Sequence, residues 1–118
     1  KILKMKSLIL IFSFMLFTTS NAQTKNLKLK NMQVAVWDTY VTKKDSTVMH
    51  FDIIAPITTK DASVIYQYGK KYLKSKGQDG QTISAKECKF CHIEYIKPEW
   101  ESEIIKNGYF IYEMENCD

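Results

Sequence analysis

The stretch VAVWDTYVTKKDSTVMHFDI, at residues 34–53, determines the fold of this chain. Its first part, residues 34–41, is rich in β-forming residues and carries apolar groups on both faces, which is typical of a buried strand. The polar segment KKDS at residues 43–46 predicts a turn, and VMHFDIIA at residues 48–55 predicts a second strand that ends at Pro56. Because the connection is short, we expect the two strands to pair as an antiparallel hairpin.

After the hairpin, the pattern changes to that of an amphipathic helix. From residue 62 to residue 73, apolar residues and tyrosines recur at the spacings of three and four that place them on one helical face. Thr58 or Thr59 is expected to cap this helix, with Asp61 in its first turn, where the helix dipole favours a negative charge. Lysines crowd the last turn and Gly77 follows them, so we expect the helix to end there.

A second helix and a closing strand are predicted near the end of the sequence. Pro98 suits the first turn of a helix, and glutamates follow it. Lys106 comes late, which completes the charge order that the helix dipole favours. Asn107-Gly108 ends this helix, and YFIYEM at residues 109–114 predicts a strand.

These elements predict a single α+β domain at residues 32–118, in the order β-β-α-(β)-α-β. The bracketed strand is the cysteine-containing segment between the two helices, which suits a strand or a loop. The sheet is expected to be mostly antiparallel or mixed. A chain of this length supports one modest core, which we expect to have two layers.

Residues 1–22 have the three parts of a secretory signal peptide. Basic residues precede an apolar run at residues 8–17, and a small residue, Ala22, stands at the expected cut site. The apolar run is shorter than the roughly 20 residues that a membrane-spanning helix needs, so a retained anchor is the less favoured alternative. We therefore expect cleavage before Gln23 and export to the periplasm or the exterior. The mature chain would have no membrane span and would begin with a flexible leader at residues 23–31.

The charge of the chain argues against a nucleic-acid partner. Its formal net charge of +4 falls to +1 when residues 1–22, with their three lysines, are removed. All 17 basic residues are lysines, so the bidentate contacts that arginine makes with phosphate are absent. Nucleic acid is therefore not expected. A protein partner or a second copy of the chain remains open.

Residues 88–92, CKFCH, form the C-x-x-C-H motif, which occurs in c-type haem attachment and in many zinc sites. For zinc, the predicted ligands are Cys88, Cys91, His92 and Cys117, with His50 as the alternative to His92, so that three thiolates and one imidazole complete a tetrahedron. This set would assemble if the closing strand lay beside the cysteine segment, because Cys117 would then return to the pair.

Three other uses of the motif remain open. A haem would take thioethers from both cysteines and an axial ligand from His92, but it needs a large apolar pocket, for which a mature chain of 96 residues has little room. A redox pair would use Cys88 and Cys91, although no βαβ unit of the thioredoxin type surrounds them. Packed structural thiols are the third use, because free cysteine is often buried as a small apolar residue.

The hairpin contains a second group of reactive side chains: Asp38, Tyr40, His50 and Asp52. Alternate residues of a strand share a face, so the first two lie together, as do the last two. If Tyr40 pairs opposite His50, then Asp38 lies opposite Asp52 and all four meet on one side of the sheet. A carboxylate beside a histidine suits acid–base chemistry. A shift of one residue would separate the two pairs, and a solvated polar surface is the simpler alternative.

Three stretches of the chain resemble the DUF-2024 family, a small bacterial domain of unknown function. They are residues 34–53, ISAKECKFCHIE at residues 83–94 and NGYFIYEMENC at residues 107–117. The resemblance runs from about Met32 to Cys117. It implies a compact α+β fold with a mixed or antiparallel sheet and two helices, and it implies no activity. Members of this family typically begin near the position of Met32, so a start at Met32 is the alternative to export. They also look cytoplasmic, and because haem attachment does not take place there, the resemblance argues against a haem.

The function predicted from the sequence is that of a small binding or accessory module with a structural or metal-binding cysteine cluster. Zinc is the cofactor that the cluster favours, and haem is disfavoured. The alternative is a thiol-redox or haem-bearing electron-transfer protein that uses Cys88, Cys91 and His92. The sequence has no glycine-rich phosphate loop and no serine-nucleophile motif, so no enzyme activity is predicted.

Overall fold

The computed structural model describes residues 29–118. It confirms an α+β fold with the predicted order β-β-α-β-α-β. The elements are β1 (Gln33–Thr42), β2 (Val48–Pro56), α1 (Ala62–Ser75), β3 (Cys88–Tyr95), α2 (Pro98–Asn107) and β4 (Phe110–Glu115). The predicted signal peptide and most of the predicted leader lie outside the described residues. Within the described part of the chain, no helix combines the length and the apolar character needed to cross a membrane.

The four strands form one sheet in the order β3-β1-β2-β4, and all three pairings are antiparallel. The hairpin of β1 and β2 runs in register from Val34 opposite Pro56 to Thr42 opposite Val48. Its turn is closed by Asp45, whose side chain accepts a hydrogen bond from the backbone N–H of Thr47 at 3.0 Å. The predicted hairpin is therefore the centre of the sheet.

The two helices pack on opposite faces of the sheet. On one face, α1 covers a core that includes Phe51 and Ile53, and on the other face Trp100 of α2 packs with Val36 and Ile54. The domain therefore has three layers where both helices are present, and the expected two layers are too few. The reason lies in β1 and β2, which carry apolar residues on both faces and so need cover on both sides.

The first helix, α1, begins after the two threonines that were expected to cap it. Asp61 is the N-cap, since its carboxylate accepts a hydrogen bond from the backbone N–H of Ser63 at 2.9 Å, so the predicted capping by Thr58 or Thr59 is wrong. Those threonines belong to the preceding turn, where the N–H of Thr59 bonds to the carbonyl of Pro56 at 2.9 Å. The predicted ends of both helices agree with the structure, because Gly77 and Gly108 follow them with positive φ angles of 72° and 88°.

The two helix-ending glycines differ in their surroundings, and this difference makes a testable pair. A Cβ atom on Gly108 would lie 2.8 Å from the hydroxyl oxygen of Tyr68, whereas nothing lies within 4 Å of a Cβ on Gly77. We expect Gly77→Ala to lower the free energy of unfolding by about 1 kcal/mol, from the positive φ alone, and Gly108→Ala by about 2 kcal/mol. Urea denaturation measures both. In a Tyr68→Phe background the two losses should become similar, and equal losses in the parent protein would contradict the steric argument.

Candidate functional site

The α2 side of the sheet carries a group of polar side chains beyond the area that α2 covers. Tyr40 pairs opposite His50, and Asp38 pairs opposite Asp52, which is the register that brings all four to one face. We refer to Asp38, His50 and Asp52 as the carboxylate–histidine cluster. Because β1 and β2 are the central strands, the backbone beneath this cluster is hydrogen-bonded on both sides.

Asp38 and His50 form the tightest pair of the cluster. The Oδ1 atom of Asp38 lies 2.6 Å from Nε2 of His50, and the two side chains are 38% and 19% exposed. The ring of Tyr40 stacks on the imidazole, with centroids 4.0 Å apart and planes 12° from parallel. The imidazole is thus held by a hydrogen bond in its plane and by an aromatic ring on its face, which fixes its orientation.

Asp52 is the perturbed carboxyl group of the cluster. The pKa of Asp52 is raised to about 6, mainly by burial, with the nearby charge of Asp38 and a hydrogen bond with Asp38 as the smaller causes. The positive charges available at His50 and His92 act in the opposite direction and only partly offset these effects. Two carboxylates that face each other across a strand pair cannot both ionise freely, so a proton or a cation stabilises them.

The cluster has the geometry to hold a cation. One ligand atom from each of Asp38, His50 and Asp52 can be chosen so that all lie within 4.8 Å of one another. Among residues 29–118, no other set of three or more histidine, cysteine, aspartate or glutamate side chains converges in this way. Carboxylate oxygens and an imidazole nitrogen are a donor set that divalent transition metals accept.

The structure does not bring the predicted cysteine ligands together. Cys88 begins β3 and is buried on the α1 side, where the hydroxyl of Thr39 donates a hydrogen bond to its sulfur at 3.3 Å. Cys117 follows β4, at the other edge of the sheet, with its sulfur 3.4 Å from the carbonyl oxygen of His50. The closing strand pairs with β2 and not with the cysteine segment, so the condition for a return of Cys117 is not met.

The thiols of the C-x-x-C pair have different surroundings. Burial raises the pKa of Cys88, with the hydrogen bond from Thr39 as a smaller opposing effect. Cys91 is exposed. All three cysteines of the described chain are free thiols. The pair is therefore divided between the core and the surface.

His92, the last residue of the motif, lies on the same face as the carboxylate–histidine cluster. It pairs opposite Val36, and with Glu94 and Asp52 it lines a pocket of about 220 Å³. The other lining residues are Val36, Ile54, Lys97, Trp100 and Tyr112. The sequence did not indicate this proximity or identify Glu94, because a bulge in β3 turns both His92 and Glu94 to the face that carries Asp52. No alternation pattern in the sequence signals that bulge.

The fold and the site together define a class: a small α+β domain in which an antiparallel sheet carries a helix on each face and a carboxylate–histidine cluster on an open part of one face. Residues 32–114 match the family described as Domain of unknown function (DUF2024). The chain belongs to that family, as its resemblance predicted.

A solved structure shows the same fold. The NMR structure of protein NE1680 from Nitrosomonas europaea is 44% identical in sequence to this chain, with a TM-score of 0.65. The match covers 74% of this chain and 100% of that chain. No curated protein matches the chain. The chain therefore shares its family and its fold with proteins whose names state no activity.

The raised pKa of Asp52 predicts a specific dependence of stability on pH. From about pH 4 to pH 6 the folded protein holds a proton on Asp52 that the unfolded chain releases, so this group makes the free energy of unfolding fall as the pH rises. The loss levels off about one pH unit above the folded pKa, where the folded protein has also released this proton. We expect the Asp52→Asn variant to lack this pH dependence. At neutral pH its free energy of unfolding should exceed that of the parent by about 1–2 kcal/mol, a figure reduced for the partial exposure of Asp52.

Urea denaturation of the parent and of Asp52→Asn, with a chelator present, measures this difference across the pH range. Asp45, Asp61 and Glu113 have lowered pKa values from their hydrogen bonds, but they are common to both proteins and cancel in the difference. A difference that stays constant from pH 4 to pH 7 would show that Asp52 titrates normally.

Proposed function

We propose that this protein is a small metal-binding module whose carboxylate–histidine cluster holds a divalent transition-metal ion. The observation that carries the proposal is the convergence of ligand atoms from Asp38, His50 and Asp52 within 4.8 Å. The raised pKa of Asp52 supports it, because a site that binds a proton to relieve carboxylate repulsion binds a dication for the same reason.

The ion would replace the hydrogen bond between Asp38 and His50. Zinc–nitrogen and zinc–oxygen bonds are about 2.1 Å long, so two ligands at a tetrahedral angle lie about 3.4 Å apart. The present separation of these atoms is 2.6 Å. An opening of less than about 1 Å is needed, and side-chain rotation supplies it without a change in the strands.

The cluster suits an exchangeable site better than a closed structural one. Three protein ligands leave at least one position of a tetrahedral ion free, and catalytic or transport sites keep such a position while structural sites do not. Asp38 is partly exposed to solvent, so the free position is accessible. The pocket beside Asp52 gives space for a small ligand next to the ion.

The cysteine-based functions receive less support. A haem attached through Cys88 and Cys91 needs both sulfur atoms on the accessible side of the segment, but Cys88 is buried in the α1 core. A dithiol redox pair needs a stabilised thiolate, whereas burial raises the pKa of Cys88. The hydrogen bond from Thr39 favours a structural role for Cys88.

Zinc binding to the chelator-treated protein tests the proposal. We expect one equivalent of Zn²⁺ to bind in competition with a chromophoric chelator, and His50→Gln and Asp52→Asn each to weaken this binding by at least about tenfold. Cys91→Ser and Cys117→Ser are the matched controls, because they remove two ligands of the zinc set predicted from the motif. Their affinities should equal that of the parent. A loss in the cysteine variants with none in His50→Gln would overturn the proposal in favour of the thiol site.

We also propose that the protein acts after export, on the strength of the signal-peptide pattern at residues 1–22. Expressed in a Gram-negative host, the chain is expected in the periplasm with Gln23 at its N-terminus, as mass spectrometry would show. Leu10→Lys places a charge in the apolar run and should retain the protein uncleaved in the cytoplasm. Leu27→Lys makes the same change in the polar leader and should have no effect. Equal export of both variants, or of neither, would refute this assignment.

A further inference from the structure

The C-x-x-C-H motif contains a β-bulge. Trp37 of β1 pairs opposite Phe90, while the preceding residue, Val36, pairs opposite His92. Cys91 is thus the extra residue in β3 and has no partner in the ladder. In a regular strand His92 would point to the α1 side and Cys91 to the other side. The bulge turns His92 to the open face and leaves the two side chains next to each other.

The bulge assembles three side chains in a chain of contacts. The sulfur of Cys91 lies 3.4 Å from Nδ1 of His92, and Nε2 of His92 lies 2.6 Å from Oε2 of Glu94. The second carboxylate oxygen of Glu94 lies 3.7 Å from Nζ of Lys97. With a proton on Nε2 donated to Glu94, Nδ1 is the free acceptor and faces the thiol. This is the order of nucleophile, base and orienting carboxylate found in thiol enzymes.

We propose that Cys91 is a nucleophilic thiol, activated by His92 and positioned through Glu94, that exchanges with low-molecular-weight disulfides. The sulfur of Cys91 attacks one sulfur of R–S–S–R, so that a Cys91–S–S–R bond forms and the original disulfide bond breaks. His92 accepts the proton of Cys91 at Nδ1 and returns it to the departing sulfur, which leaves as R–SH. The sulfur of Cys91 is oxidised, the departing sulfur is reduced, and the histidine is regenerated.

The surroundings single out Cys91 among the three thiols. Cys88 and Cys117 are buried, so a reagent in solution reaches only Cys91 without unfolding. His92 and Glu94 also line the pocket of about 220 Å³ beside Asp52, so a small molecule has a place next to the base. The proposal does not depend on the metal site, because none of these three residues is a proposed ligand.

Reaction with 2,2′-dithiodipyridine at neutral pH, in the presence of a chelator, tests the proposal through the absorbance of the released thione. The folded parent should release one equivalent in a fast phase, and Cys91→Ser should abolish this phase. We expect His92→Gln to slow it by about tenfold and Glu94→Gln by about threefold. Glu115→Gln is the matched control, since it makes the same change as Glu94→Gln to a carboxylate that lies opposite His50 on β4, at the other edge of the sheet from Cys91, and its rate should equal that of the parent.

A second measurement separates activation from folding. In concentrated urea all three thiols are exposed, and the parent, His92→Gln and Glu94→Gln should react at the same rate, because the contacts of the bulge are lost. A folded His92→Gln that reacts within twofold of the parent would overturn the proposal. A Glu115→Gln variant slowed as much as Glu94→Gln would also overturn it, since the effect would then come from the general charge of the sheet face.

Discussion

The pairing of β1 with β2 is the constraint on which the rest of the structure depends. These are the two central strands, so every residue in them faces either the core under α1 or the side that α2 partly covers. A slip of one residue would turn Phe51 toward the open face and His50 toward the α1 core, where an unpaired charge costs several kcal/mol. One register therefore determines the hydrophobic core and the carboxylate–histidine cluster together.

That register imposes an electrostatic conflict on the open face. Asp38 and Asp52 stand opposite each other on strands that cannot move apart without breaking the sheet. The fold is maintained by the burial of apolar groups on the α1 side, and it holds the two carboxylates close at a cost in stability. A proton relieves the repulsion in acid, and a bound cation would relieve it at neutral pH. The cluster thus has a physical reason to bind positive charge.

Features that depend on local pattern could be predicted from the sequence, and features that depend on packing could not. The hairpin and both helix ends follow from alternation, turn residues and glycine positions, whereas the register that pairs Tyr40 with His50 was left open by the sequence. The N-cap at Asp61 was missed because three candidate residues stand within four positions of one another. The strand order, which separates Cys117 from Cys88, and the bulge at Cys91 arise from tertiary pairing. The strand order and the bulge together explain why the zinc ligands predicted from the motif do not converge.

The bulge in β3 also affects the exposed edge of the sheet. β3 is an edge strand, and it exposes Phe90, Ile93 and Tyr95. A long, flat and apolar edge is a template on which strands of other molecules add and aggregates grow. An extra residue in the middle of the strand kinks it and interrupts the regular row of backbone groups at that edge. The irregularity that places a thiol beside a histidine therefore also protects an exposed apolar border from uncontrolled strand addition.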